Sequence, residues 1–146
     1  MTISRTDTVI VVGFLILVQG TGALAGFWLP AIAPEVGQSL GLSPSLIAYP
    51  VLILYIFAMI SSLMAGGIVR RFGAWRSSQA ALILIGVSHL MFMNGSLLFL
   101  ALGSIILGGA YGLLTPPASH LLSKIVTPKN RNLIFSIRFT GVPLGG

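Results

Sequence analysis

The sequence has no cysteine, and Asp7 and Glu35 are its only acids. Without cysteine there is no disulfide framework and no thiolate nucleophile or thiolate metal site. With two acids and no clustering of His, Asp and Glu, the spacing of a metal site is missing as well. Charge of either sign is scarce, at 7% of 146 residues against roughly 25% in an ordinary soluble domain. Ten charges cannot cover a water-soluble globule. Disorder is excluded from the other side, because the chain is 55% hydrophobic with a mean hydropathy of +1.02. What remains is a protein of the lipid bilayer.

Long uncharged stretches carry that reading. Val9–Leu29 and Leu46–Val69 each hold enough apolar residues to cross about 30 Å of hydrocarbon. Ser77–Ser123 is too long for one crossing, and the turn signal Asn94-Gly95-Ser96 divides it. Spans are therefore expected at about residues 9–29, 46–69, 77–93 and 97–122, with an incomplete fifth at 131–146. Barrel strands would alternate in polarity and these stretches do not, so the fold class is an all-α, polytopic membrane protein. Arg5 before an apolar run and Ala23-Leu24-Ala25 resemble a signal peptide, but the run exceeds an ordinary signal core and more spans follow.

The net charge of +6 is explained by topology rather than by a nucleic-acid partner. Arg5, Arg70, Arg71, Arg76, Lys124, Lys129 and Arg131 flank one set of span ends, whereas the opposite loops, about 30–45 and 94–96, hold no basic residue. Basic residues stay inside, which predicts a cytoplasmic N-terminus in a multi-pass protein of the cell membrane.

The stretch Gly66-Gly67-Ile68-Val69-Arg70-Arg71-Phe72-Gly73-Ala74-Trp75-Arg76 reads as a tight turn after the second span. Gly66 is expected to allow close helix approach, Gly73 a left-handed turn, and the arginines an anchor. Its spacing resembles the signature loop of the major facilitator superfamily, which runs Gly, three residues, Asp, Arg, any residue, Gly, then basic residues. Gly66, Arg71 and Gly73 match, while Arg70 stands at the usual Asp and Ala74-Trp75 at the usual basic residues. Leu29-Pro30-Ala31-Ile32-Ala33-Pro34 with Leu40-Gly41-Leu42-Ser43 is similar to the family's first outer loop. Gly108, Gly112 and Pro116 are similar to its fourth helix. Pro128 and Arg131, with Gly141, Leu144 and Gly145, are similar to its next loop and fifth helix.

That resemblance implies the N-terminal portion of a secondary transporter, four helices and the start of a fifth from a six-helix half, with the reading frame continuing past Gly146. It implies alternating access by two halves around a midplane site. The first and fourth helices would line the cavity, which singles out Gln19, Tyr111 and Thr115, with Thr21 beside them. Gly66, Arg70, Arg71 and Gly73 would serve gating. Implied partners are a small-molecule substrate, a proton or other coupling ion, the lipid bilayer and the remaining transporter helices; no cofactor and no metal is implied, and no enzymatic activity. Two departures weaken a drug–proton antiporter reading. Ser104 stands where proton-coupled members carry Arg, and Gly141-Val142-Pro143-Leu144-Gly145-Gly146 has its proline one place late.

Arg138 lies about 10 Å along the helix from Arg131. At that depth it is a contact for an anionic group on the substrate, which would favour an organic anion, or for a carboxylate in the remaining transporter helices, or else a side chain snorkelling back to the interface. Gln19, Thr21 and Thr115 have interhelical hydrogen bonding as their plain alternative, and Tyr111 packing. His89 is an ionisable residue inside a span, though on a peripheral helix; His120 reads as interfacial. Gly22-x-x-x-Gly26 and Gly108-x-x-x-Gly112 read as close-packing faces, and Pro116-Pro117 as a kink or break.

Other motifs lack their context. Gly37-x-Ser39-x-Gly41 matches a hydrolase elbow but has no strand before it. Asn94-Gly95-Ser96 is a glycosylation sequon in a tight turn, and no Gly-Lys-Ser/Thr loop supports ATP-driven pumping. A small four-span membrane scaffold or partner-binding protein without transport activity is the alternative from another class. A small multidrug exporter would need an acid deep in its first helix, where Glu35 does not lie.

Overall fold

The computed structural model describes residues 5–126 and 130–146 and, among them, consists of helices joined by short turns. Pro128 and Lys129 lie outside the described residues. The helices are α1 (Arg5–Ser39), α2 (Pro44–Phe72), α3 (Ala74–Phe92), α4 (Leu97–Gly112), α5 (Thr115–Ile125), α6 (Arg131–Phe139) and α7 (Gly141–Gly145). Among the described residues, three stretches are long and apolar enough to cross a membrane: Thr8–Ser39, Ser45–Phe72 and Leu97–Ser123. Between them α3 adds 19 residues, about 28 Å of helix.

The first helix corrects the expected outer loop. It does not end at Leu29 but continues through Pro30 and Pro34 to Ser39, so the turn to α2 is only residues 40–43. A proline removes one backbone donor and strains one turn. The apolar residues around Pro30 and Pro34 keep packing: Leu29 is buried, and Ala33 and Val36 lie against the core. Gly41 closes the turn with φ +63°.

α4 sits centrally, packed mainly against α2 and α3, and glycines set its distance from both. Gly108 and Gly112 rest on the α2 backbone at Leu54 and Ala58, where a Cβ on either would collide with carbonyl oxygens. Small residues let two backbones approach this closely in a membrane bundle. Ser61 Oγ on α2 donates to the Gly109 carbonyl at 2.6 Å across the same seam. Gly103 faces the Phe92 ring and the Ser88 carbonyl of α3. The Gly108/Gly112 face therefore packs within the bundle.

The fourth apolar stretch breaks where its prolines stand. α4 stops at Gly112, Leu113 and Leu114 form a turn, and α5 restarts at Thr115 with Pro116-Pro117 in its first turn, where missing N–H groups cost least. The fifth stretch breaks too, at Thr140 between α6 and α7. α7 lies along α1, with Gly141 against the Ile16 carbonyl and Gly145 against the backbone of Gly20. Leu63, Leu90, Leu98 and other large apolar side chains point outward, as suits surroundings of lipid rather than water.

Candidate functional site

Arg138 is the least expected side chain in the bundle, a guanidinium with no exposed surface at all. It sits on the last turn of α6, just before the break at Thr140, so the helix carries it inward. Nη2 donates to Gln19 Oε1 of α1 at 2.9 Å and, at 3.4 Å, to the Thr115 carbonyl of α5. Nη1 donates to Ser119 Oγ, also on α5, at 3.0 Å. The guanidinium carbon lies 4.9 Å from the centre of the Phe139 ring. Nε is buried without a hydrogen-bond partner among the described residues.

This geometry excludes snorkelling, because a side chain reaching the interface would be exposed. It also gives Gln19, 95% buried, the partner that a mid-span amide requires. Gln19 and Arg138 meet across 119 positions of sequence. Every acceptor is a neutral oxygen, and among the described residues no ion pair involves Arg138. The buried positive charge is solvated by dipoles but not neutralised. Ser119 is a member of the cluster that sequence reasoning missed. Its only signal is position: four residues after Thr115 it shares that helix face.

The other cavity candidates are dispersed. The Tyr111 ring packs against Gly26 of α1, where a Cβ would come within 2.8 Å of it. Leu114 takes the same place at Gly22, so Gly22-x-x-x-Gly26 receives one side chain from the end of α4 and one from the turn after it. Thr115 contributes its carbonyl to Arg138 while its residue surface is exposed. Thr21 corrects the interhelical expectation: its Oγ1 bonds back to the Leu17 carbonyl of its own helix at 2.9 Å and faces outward. His89 belongs to an aromatic cluster, 5.3 Å from Trp28 and 5.8 Å from Phe92, and its Nδ1 donates to the Ile85 carbonyl at 2.8 Å.

The presumed gating loop is shorter than expected. α2 continues to Phe72, so Gly66, Arg70 and Arg71 are helical and Gly73 alone joins α2 to α3. Its φ of +82° and ψ of 154° lie in a region open essentially only to glycine. This is a positive-φ turn, extended rather than left-handed helical. Gly66 does not mediate a close approach, since a Cβ there meets nothing within 4 Å among the described residues. Arg71 lies over the Phe72 ring at 5.3 Å, and the Trp75 ring stacks on Phe14 of α1 at 5.1 Å, tying the start of α3 to the first helix.

Residues 11–146 match the family model of the Major Facilitator Superfamily. No curated protein sequence matches the chain.

Proposed function

The chain belongs to the Major Facilitator Superfamily, a family of membrane transporters rather than enzymes, and from that premise we propose that it moves a small organic anion across the cell membrane by alternating access. The observation that supports an anion is Arg138, fully buried with only neutral acceptors around it and, among the described residues, no carboxylate to cancel its field. In a low-dielectric bundle that charge favours a negative group nearby over a neutral or positive one. Gln19, Tyr111 and Thr115 would line the solute path, with Arg138 freed from Gln19 as the path opens. The hinge at Gly73 and the adjacent Arg70 and Arg71 would take part in gating, and a proton or other ion gradient, or the solute's own gradient, would drive the cycle. Arg70, Arg71 and Arg76 lie at the α2–α3 junction, which the Phe14–Trp75 stack ties to α1, and Arg131 opens α6. This supports a cytoplasmic N-terminus. The helices that complete both halves of such a transporter would be required for activity.

The test is uptake into proteoliposomes by the protein expressed from its natural reading frame. Labelled mono- and dicarboxylates are compared with a neutral sugar and an organic cation. Carboxylate uptake that falls at least about tenfold in Arg138→Gln, equivalent to ~1.4 kcal/mol, is the expected result. Equal handling of all solute classes, or full anion uptake by folded Arg138→Gln, would overturn the anion reading.

A further inference from the structure

We propose that the cleft between the end of α2, the start of α3 and the middle of α5 binds the phosphate of an anionic phospholipid. The cleft has a volume of about 630 Å³ and carries Arg70 from α2, Trp75 and Arg76 from α3, and His120 from α5. Three helices thus bring basic or aromatic groups to one concave site at the arginine-bearing end of the bundle.

Orientation alone does not require such a site. Retaining a loop on one side of the membrane needs positive charge, not a cleft. Arg71 shows the difference: it lies over Phe72 and does not line the cavity, whereas Arg70 and Arg76 do. Within residues 1–146 the charge accounting favours an anion even with Asp7 counted in full. Asp7 is the sole acid in the sequence near this end, since Glu35 lies beyond the far end of the first apolar stretch. One carboxylate against Arg70, Arg71 and Arg76 leaves a net positive field. Phe72 and Trp75 are more than half exposed beside the arginines and supply apolar surface for the upper acyl chains. Aromatic rings of this kind settle at headgroup level. Basic pockets between membrane helices suit anionic headgroups; a zwitterionic lipid would bring its ammonium against the same arginines. This site does not depend on what the protein transports.

Trp75 provides the readout from within the cleft. In the protein expressed from its natural reading frame, every tryptophan except Trp75 is replaced by Phe. The protein is then reconstituted with brominated phosphatidylglycerol or brominated phosphatidylcholine, either of which quenches a tryptophan in contact. Each basic residue near the surface is worth about fivefold in affinity, so two arginines predict roughly a thirtyfold preference for phosphatidylglycerol. Arg70→Gln with Arg76→Gln should abolish that preference, and Arg71→Gln should leave most of it. If the double variant does not fold, Arg76→Gln alone should lose about fivefold. Equal quenching by both lipids, or an unchanged preference in the Arg70/Arg76 variants, overturns the site. Displacement of the brominated lipid by low millimolar inorganic phosphate would assign the cleft to a soluble phosphate group and overturn the lipid assignment.

Discussion

Replacing Gln19 by Leu tests whether the Arg138 cluster holds the bundle together. The substitution keeps an apolar body of similar size on α1 but deletes the acceptor at 2.9 Å from Nη2. Arg138 would keep Ser119 Oγ at 3.0 Å and the longer contact to the Thr115 carbonyl at 3.4 Å, with Nε already unpartnered. A hydrogen bond to a charged group contributes about 1.5–3 kcal/mol in soluble proteins. Polar contacts between membrane helices average nearer ~0.6 kcal/mol, with a maximum near 1.7. Full burial of this charge places Gln19→Leu toward the upper end, about 2 kcal/mol destabilising. Arg138→Leu alone leaves the Gln19 amide buried without its cation and should also destabilise. The double variant removes both polar groups and should be less destabilised than the sum of the singles by about 1–2 kcal/mol. Unfolding free energies from titration with a denaturing detergent in mixed micelles measure all three. Additivity within about 0.5 kcal/mol would refute the reasoning, because it would mean that the two side chains do not depend on each other.

Three further outcomes follow from the packing. Gly112→Leu should destabilise the α2–α4 seam by at least about 1–3 kcal/mol, since its Cβ would meet the Ala58 carbonyl; an unchanged melting temperature would contradict the close approach. Gly73→Ala should cost about 1–3 kcal/mol for its backbone angles, whereas Gly66→Ala, inside a helix with open space around it, should gain up to about 1 kcal/mol; thermal melts distinguish the opposite signs. Thr21→Val should change stability by less than about 0.5 kcal/mol and leave transport intact, because its hydroxyl serves only its own helix at an exposed position; a loss of transport in vesicle uptake would place Thr21 on the solute path.

The helical, membrane-embedded character was legible in the sequence because apolar run length and scarce charge are strong signals. The turn at Asn94-Gly95-Ser96 and the break before Pro116 were legible for a local reason: glycine and proline constrain the backbone wherever they stand. Pro30 and Pro34 misled by the same rule. Their local cost is offset by packing of Leu29, Ala33 and Val36, which only the tertiary structure supplies. The polar site was half legible. Gln19 and Arg138 each stood out as needing a partner, but nothing local says that two residues so far apart in sequence choose each other. Ser119 was invisible, as serine is ordinary in a membrane helix. Gly66 carried a motif resemblance that its open surroundings do not translate into packing.

The unbroken first helix has a mechanical consequence. At 35 residues it is about 52 Å long, well beyond the roughly 30 Å hydrocarbon layer, and four residues connect it to α2. A tether that short makes the outer ends of α1 and α2 a stiff elbow with little freedom to part. The opposite half of the bundle is segmented instead, at Leu113–Leu114, at Gly73 and at Thr140. Compliance is thus unevenly distributed. A force applied at the elbow would be transmitted down α1 as by a lever, and it would be absorbed at the joints at Leu113–Leu114 and Thr140, beside the Arg138 cluster.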